Sequence, residues 1–336
     1  MPKFRSQPVG QKSQTFIDER LIRFEKYCQA ISINIDNSLI LFASDSSITL
    51  FQYKFAQLKY IQNCRNHKNY VTTLNNFKNN FQFISGSIDS NIVLWSLNLM
   101  ANRKYLQQLQ GHTGMITCQV LIPKIENFII TGSMDNKIKF WNVSQLQQWR
   151  CVQTITDHKD SVLALATNLE GNKVLSSGKD NIILVIEQNK LLFWQVRQKI
   201  KVNQFGYRLN FIDHFTITFQ PEQSSHLHLY KTNQMGDFEL TTNILVGGGG
   251  QYCHLLFPSI YNTNKHLIIT KNGWNLNIIN HIHDFTNEKD IFLLKESIEF
   301  SDQYFFGTLS QDGEYLITWD TQNSQISIKK FNSENN

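Results

Sequence analysis

Short runs of apolar and alternating residues, separated by polar turn residues, recur along most of this chain. Two segments align without gaps, SGSIDSNIVLW at 85–95 and TGSMDNKIKFW at 131–141, and SSGKDNIILVI at 176–186 follows the same pattern. Each segment has a small hydroxyl residue, an Asp four positions later, and apolar residues three and six positions after that Asp. The Asp and its small polar follower predict a turn between two strands, so each segment predicts a hairpin.

Weaker copies of this hairpin extend the pattern over the rest of the chain. Ile48 and Phe51 keep these offsets from Asp45, whereas the later turns are placed by apolar residues three and five positions after them. The seven predicted turns lie at positions 45, 89, 135, 180, 224, 273 and 323. Their spacing of 44 to 50 residues is nearly constant. Seven near-equal units predict small sheets repeated around an axis, because one such unit cannot bury both of its faces alone. The fold class is therefore all-β.

A histidine stands upstream of each of the three clearest hairpins, in the pairs Asn66-His67, Gly111-His112 and Asp157-His158. Two of the hairpins end in Trp95-Ser96 and Trp141-Asn142. This arrangement resembles the WD40 family, whose repeat begins with a Gly-His type pair and ends with a Trp-Asp type pair. The resemblance is strongest over residues 67–187. It implies a seven-bladed β-propeller with four-stranded antiparallel blades.

The resemblance also implies a buried hydrogen-bonded relay in some blades. The relay joins His, a hydroxyl residue, Asp and Trp, whose donors and acceptors can satisfy one another in series. Ile186 replaces the Trp in the third segment, so only a triad is expected there. The implied residues are His67, Ser85, Asp89 and Trp95; His112, Thr131, Asp135 and Trp141; and His158, Ser176 and Asp180. Because the set recurs three times, we expect a structural role, and we predict that the protein is not an enzyme.

The last unit supplies only three strands, near 304–308, 314–318 and 325–331. The segment TFIDERLIRF at 15–24 has strand character, and we predict that it forms the outer strand of the last blade. The expected organisation is a flexible arm at 1–14, a single propeller at 15–332 and a short tail at 333–336.

In WD40 relatives, partners often bind on the narrow face, at the positions three and five after the His and one before the Asp. The corresponding residues predict either an apolar binding cluster across two blades or side chains that simply pack in the funnel between blades. They are Tyr70, Thr72, Ile88, Met115, Thr117, Met134, Ser161, Leu163 and Lys179. We therefore predict a scaffold for protein–protein interaction within a multiprotein complex, with other proteins as its partners.

The net charge is mild, with 32 basic and 27 acidic residues and a balance of +5. A strong basic stripe, typical of nucleic-acid binders, is missing from the sequence. RNA or ribosome-assembly association is therefore an alternative, possible but not favoured. No apolar run approaches the ~18 residues of a membrane helix, so no membrane association is expected. Cytoplasm is the default location, and a nuclear or ciliary complex is also compatible.

Chemistry-bearing motifs are few. The five cysteines have no CxxC spacing, which argues against zinc and disulfide frameworks. The pairs His226/His228 and His281/His283 each share a strand face, but no carboxylate or Cys completes either set nearby, so no metal is predicted. The glycines at 247–250 are not followed by Lys-Ser/Thr, so no phosphate site, cofactor or small-molecule substrate is predicted. An enzyme built on the propeller stays a minor alternative.

Overall fold

The computed structural model describes residues 14–98, 105–123, 126–146, 148–284 and 289–332. These ranges contain 28 β-strands, β1 to β28 in chain order. The strands form seven four-stranded antiparallel sheets, and the sheets are arranged as the seven blades of a closed propeller. The predicted fold class is confirmed. The proposed flexible arm, apart from its last residue, and the proposed tail lie outside the described residues.

Six blades are built from four consecutive strands, which run from the ring axis outward. Their bounds are β2 Cys28–Ile33, β3 Leu39–Ser44, β4 Ser47–Lys54 and β5 Gln57–Arg65 in blade 1; β6 Val71–Asn76, β7 Gln82–Ser87, β8 Ile92–Ser96 and β9 Tyr105–Leu109 in blade 2; β10 Ile116–Leu121, β11 Phe128–Ser133, β12 Ile138–Val143 and β13 Trp149–Ile155 in blade 3; β14 Val162–Thr167, β15 Lys173–Gly178, β16 Ile182–Gln188 and β17 Trp194–Lys201 in blade 4; β18 Arg208–Phe211, β19 Thr216–Gln220, β20 His226–Thr232 and β21 Phe238–Leu245 in blade 5; and β22 Ile260–Asn262, β23 Leu267–Asn272, β24 Asn275–Asp284 and β25 Lys289–Glu299 in blade 6.

Blade 7 closes the ring with strands from both parts of the chain. Its bounds are β26 Phe305–Leu309, β27 Tyr315–Asp320, β28 Gln325–Phe331 and, as the outer strand, β1 Phe16–Arg23. β1 runs antiparallel to β28, from Phe16 opposite Phe331 to Arg23 opposite Gln325. The predicted closure by an N-terminal strand is confirmed, and it gives the last sheet the fourth strand that β26 to β28 lack.

All seven predicted turn positions lie between the second and third strands of a blade. Several of these turns need a residue in the left-handed region, such as Asn136 at φ 66° and Asn181 at φ 60°. Asn tolerates this conformation because its short polar side chain can hydrogen-bond locally. The end of the ring that carries these turns is called the upper face below, and the opposite end the lower face.

The hydrophobic core is divided into seven clusters, and each cluster combines residues from two neighbouring blades. Strand geometry explains the division, because successive side chains point to opposite faces of a sheet. In β12, for example, Phe140 packs toward blade 4 whereas Trp141 packs toward blade 2. No blade has a core of its own, so each blade depends on both neighbours for burial.

Side-chain donors also cross between neighbouring blades to backbone carbonyls near the start of the next inner strand. The donors differ in chemistry from interface to interface, from hydroxyl to guanidinium, ammonium and indole. They are Thr72 to Ile116 O at 2.5 Å, Thr117 to Val162 O at 2.6 Å, Ser177 to Gly206 O at 2.9 Å, Arg208 to Leu256 O at 2.9 Å, Lys271 to Phe305 O at 2.8 Å and Trp319 to Phe24 O at 3.0 Å. These bonds link the upper ends of the blades around the axis.

Candidate functional site

Blade 2 holds a complete hydrogen-bonded relay beneath the upper face. Trp95 Nε1 donates to Ser85 Oγ at 2.8 Å, and His67 Nε2 lies 2.7 Å from the same oxygen. The other ring nitrogen of His67 lies 3.0 Å from Asp89 Oδ2, which also accepts the backbone N–H of Lys68 at 2.8 Å. Burial alone would raise the pKa of Asp89, but the hydrogen bonds from His67 and Lys68 outweigh it and hold the pKa well below its usual range.

Blade 3 repeats the relay with Thr in place of Ser. Trp141 Nε1 donates to Thr131 Oγ1 at 2.9 Å, and His112 lies 2.8 Å from both Thr131 Oγ1 and Asp135 Oδ2. Burial would again raise the pKa of Asp135, yet the bonds from His112 and the backbone N–H of Thr113 lower it to about 2. The carboxylate is therefore ionised at neutral pH and fixes the loop that follows His112.

Blade 4 has the triad, without a Trp at the relay position. His158 Nε2 lies 2.8 Å from Ser176 Oγ, and His158 Nδ1 lies 3.0 Å and 3.1 Å from the two carboxylate oxygens of Asp180. Ile186 occupies the Trp position and packs in the core between blades 3 and 4. Burial lowers the pKa of His158 despite the nearby Asp180 carboxylate, so the imidazole is neutral at physiological pH.

The relay hydroxyls of Ser85, Thr131 and Ser176 belong to fully buried residues. A nucleophile must reach its substrate, and these three hydroxyls face only their own blade. What the relays do is fix the upper loops, because each buried carboxylate accepts the N–H of the residue that follows its histidine. These hydrogen bonds therefore hold the backbone of the upper-face loops in position.

The positions next to the relays are paired across the upper loops. The N–H of Ile88 donates to Tyr70 O at 2.9 Å, and that of Met134 donates to Met115 O, also at 2.9 Å. Tyr70 and Met134 are 42% and 43% exposed, whereas Ile88 and Met115 are half-buried. These four residues are named the apolar cluster. In blade 4 the same pairing joins Lys179 to Ser161 at 2.9 Å, and both positions are polar.

The other three residues predicted to bind a partner are buried. Thr72, Thr117 and Leu163 are 2%, 4% and 4% exposed. Each threonine hydroxyl is shared between a carbonyl of its own blade and one of the next blade. Their side chains link blades, so a partner at the upper face would meet the other six predicted residues.

The WD domain, G-beta repeat family model matches residues 58–96, 103–142 and 149–187. The chain is a seven-bladed propeller whose blades 2, 3 and 4 are WD40 repeats. Each matched repeat ends just after the Trp position of blade 2, 3 or 4, so the repeats that the model recognises are the ones that carry the relays. The remaining blades of this WD40 propeller have the same strand topology without the relay residues.

Similar proteins include the ribosome biogenesis protein WDR12 homolog of Chlamydomonas reinhardtii, which is 30% identical over 118 residues. They also include pre-mRNA-processing factor 19 of Oryza sativa subsp. japonica, 32% identical over 97 residues. The matches cover 33% and 29% of the WD40 propeller, but only 26% and 18% of those relatives.

Among solved structures, a chain in the crystal structure of the mitotic checkpoint complex superposes with a TM-score of 0.74. The superposition covers 98% of the WD40 propeller and 99% of that chain at 13% identity, which shows a shared fold and nothing further about function. Within the described ranges, no helix has the length and apolar character needed to cross a bilayer.

A cavity of about 440 Å³ follows the axis of the WD40 propeller and is lined by all seven inner strands. Its one buried carboxylate, Glu126, already accepts the backbone N–H groups of Lys78 and Asn79. The remaining lining combines aliphatic, aromatic, hydroxyl and amide side chains from different strands, with Lys78 near Glu126.

The histidine pair on β24 has a carboxylate neighbour that the sequence analysis missed. Asp290 Oδ1 lies 3.2 Å from His281 Nε2 and 2.9 Å from His283 Nδ1, because Asp290 faces His283 across the β24–β25 hairpin. This contact was not foreseen from the sequence. Lys231 binds the second oxygen of Asp290 at 2.8 Å, and Tyr261 Oη lies 2.8 Å from His281 Nδ1. Within the described residues, no three such side chains are arranged to hold a metal ion.

Proposed function

We propose that this WD40 propeller is a non-catalytic platform for protein–protein interaction within a multiprotein complex, and that it binds partners through the apolar cluster on blades 2 and 3. The observation that carries the proposal is the exposure of Tyr70 and Met134, two large side chains on neighbouring blades of one face. Their loops are held by buried relays, so the cluster is preorganised and loses little conformational freedom on binding.

The composition of the cluster suits protein recognition. Tyr is enriched at protein interfaces because it combines a large apolar area with a hydroxyl that can hydrogen-bond. The thioethers of Met115 and Met134 are flexible and polarizable, which allows them to adapt to irregular apolar surfaces. The three relay hydroxyls are buried, so none of them is available as a nucleophile at this face, which supports a non-catalytic role.

The test is affinity purification with the double variant Tyr70→Ala/Met134→Ala. Met115 is left intact because it packs against the core between blades 7 and 1, and its loss could disturb the fold. A matched control is Phe215→Ala/Met235→Ala, since these side chains are 66% and 81% exposed on lower-face turns of blade 5. We expect the first variant to lose at least one stoichiometric partner that the control retains. Retention of every partner by a normally folded Tyr70/Met134 variant would contradict the proposal.

A second candidate is association with RNA or with ribosome assembly. It is favoured by the two relatives named above, one of which is called a ribosome biogenesis protein and the other a pre-mRNA-processing factor. Direct RNA binding would depend steeply on salt, because neutralised phosphates release counterions. Measuring the affinity for a single-stranded RNA at 50 mM and 200 mM salt distinguishes this candidate, since a fall of tenfold or more is expected only for phosphate contacts.

A further inference from the structure

We infer that the upper face of blades 2 to 4 binds an acidic, extended segment of a partner protein. Five lysines lie around and beside the apolar cluster, and their ammonium groups would pair with the carboxylates of that segment. They are named the lysine crescent and comprise Lys68, Lys137, Lys159, Lys179 and Lys201. The inference rests on the proposed function and adds the chemistry of the partner.

The relays position three of these lysines. Lys68 and Lys159 directly follow the relay histidines of blades 2 and 4, and their N–H groups donate to Asp89 and Asp180 at 2.8 Å. Lys179 directly precedes Asp180, and its N–H donates to Ser161 O at 2.9 Å. The backbone of all three is therefore fixed by buried partners, while their side chains are exposed to solvent.

The other two lysines extend the crescent across the interface between blades 3 and 4. The N–H of Lys137 donates to Asp135 Oδ1 at 3.1 Å, and the side-chain amide of the neighbouring Asn136 donates to Lys159 O at 3.3 Å. Lys201 ends β17, where the N–H of the next residue donates to Asn181 O at 3.0 Å. Lys137 is half-buried and Lys201 is exposed.

Acidic residues on this face are not equally accessible. The relay carboxylates of Asp89, Asp135 and Asp180 have side chains only 8%, 4% and 7% exposed, and each accepts hydrogen bonds from its own blade. Asp157 is paired with Lys199 at 2.7 Å. By contrast, among the described residues no carboxylate oxygen lies within 4.0 Å of an ammonium nitrogen of the lysine crescent. A ligand therefore meets unpaired cations and few available anions.

The arrangement of charges on this face favours short-range recognition of a ligand over long-range attraction. The relay carboxylates of Asp89 and Asp135 are ionised beneath the surface and offset part of the positive potential at long range. At contact distance the exposed ammonium groups dominate, because a carboxylate of the ligand can reach them and cannot approach the buried acids.

A peptide fits the face better than a nucleic acid does. The lysine crescent borders Tyr70 and Met134, which offer apolar contact area. Apart from the Tyr70 hydroxyl, these two side chains have no group that could hydrogen-bond to a nucleic-acid base. Asp160 also lies in the loop between Lys159 and Ser161, and its carboxylate would repel a continuous row of phosphates. A peptide can place neutral residues opposite Asp160, apolar residues on the cluster and acidic residues on the lysines.

The experiment selects ligands from phage-displayed random 12-residue peptides on the full chain, then measures affinities of the selected peptides by fluorescence anisotropy. We expect enrichment of sequences that combine Asp or Glu with Leu, Phe or Tyr. The variant Lys159→Gln/Lys179→Gln should weaken binding about three- to tenfold, since each exposed ion pair contributes modestly. The lower-face control Lys54→Gln/Lys190→Gln should leave affinity unchanged, because both lysines are exposed far from the crescent.

Selection of neutral or basic peptides, no selection at all, or an unchanged affinity in a folded Lys159/Lys179 variant overturns the inference. So does tighter binding of poly(U) RNA that competes with the peptides and is weakened by the same variant. The proposed function is judged separately by partner retention. If Tyr70→Ala/Met134→Ala loses partners while Lys159→Gln/Lys179→Gln does not, only the acidic preference fails.

Discussion

The indole Nε1 of Trp319 donates to the carbonyl oxygen of Phe24 at 3.0 Å, across the seam where blade 7 meets blade 1. Tyr27, from the same entering loop, stacks edge-on against the Trp319 ring at 5.3 Å between centroids. Phe24 directly follows β1, so this bond ties the closing strand, blade 7 and the entry to blade 1 together. Trp319 is thus a seam residue, and it takes no part in a relay.

Substituting Trp319 by Phe tests this role. The new Phe side chain keeps an aromatic ring against Tyr27, but it has no N–H group to donate to the carbonyl oxygen of Phe24. We expect the free energy of unfolding to fall by about 1–3 kcal/mol, the cost of leaving a buried polar group without its partner. Urea denaturation measures the change. Equal stability of the variant and the parent protein would show that water satisfies the carbonyl.

The relays allow a comparison within one chain. Ser85→Ala leaves both Trp95 Nε1 and His67 Nε2 without their hydrogen-bond partner. Ser176→Ala leaves only His158 Nε2 without its partner, because blade 4 has Ile186 at the Trp position. Both serines are fully buried, so the lost volume is the same. We therefore expect Ser85→Ala to be the more destabilising change by about 1 kcal/mol or more. Equal losses in chemical denaturation would mean that the indole bond contributes nothing.

The repeat spacing predicted much of this fold, for a physical reason. Asp89 and Asp135 mark turns that are visible in the sequence, because a turn needs specific residues and apolar strands must flank it. The weaker turns near 224 and 273 are also in register, although neither has the Asp of the clear repeats, because each blade must present the same length of strand to its neighbours. Closure of the ring by the segment at 15–24 was predicted because the last unit supplies only three of the four strands of a blade.

The contacts between blades could not be predicted from the repeat spacing. Gln153 donates to Trp194 O at 2.5 Å and accepts the Trp194 N–H at 2.9 Å, but the two residues are 41 positions apart. In the sequence, nothing distinguishes Gln153 from a glutamine that is exposed on a strand. Lys271 and Arg208 are buried against expectation for charged residues, because they bond carbonyls of the next blade. Asp290 was missed because only the β24–β25 register brings it to His283.

The glutamine clamp recurs at three successive interfaces and gives a further prediction. Gln107, Gln153 and Gln198 each make the same two bonds to the residue that starts the outer strand of the next blade. Gln153→Glu replaces the donating amide group by a carboxylate oxygen that faces Trp194 O. We expect faster hydrogen exchange at the Trp194 amide, since its strand loses the clamp.

The matched control for the clamp is Gln195→Glu, because Gln195 is exposed on the neighbouring strand position. It adds the same charge without touching the carbonyl of Trp194. Unchanged exchange at Trp194 in the Gln153 variant, or an equal change in the Gln195 variant, would refute the clamp as a stabilising contact.

Lys271 makes stability depend on pH in the neutral to alkaline range. Burial lowers the pKa of Lys271 to about 7, and the nearby Arg208 acts in the same direction. Above pH 7 the unfolded chain, with a lysine pKa near ~10.4, binds more protons than the folded one. The free energy of unfolding should therefore rise between pH 7 and 8.5, by at most ~1.4 kcal/mol per pH unit.

Urea denaturation of the parent protein and of Lys271→Met across this range checks the effect. Met keeps the length of the side chain without a titrating group, so the difference between the two curves isolates Lys271. The variant should show a flatter dependence. Parallel curves would mean that Lys271 has the same proton occupancy in the folded and unfolded chains.

The pairing of Phe16 with Phe331 has a consequence for how the chain is made. β1 leaves the ribosome before β28, the strand it must join, which is synthesised roughly 300 residues later. At about 5–20 residues per second, β1 waits on the order of 15–60 s without a sheet. Throughout that time Phe16 and Ile22, which pack in the core of the closed ring, are on an unpaired strand, so β1 is open to wrong pairing. A chaperone that shields β1 during that time should raise the yield of closed rings.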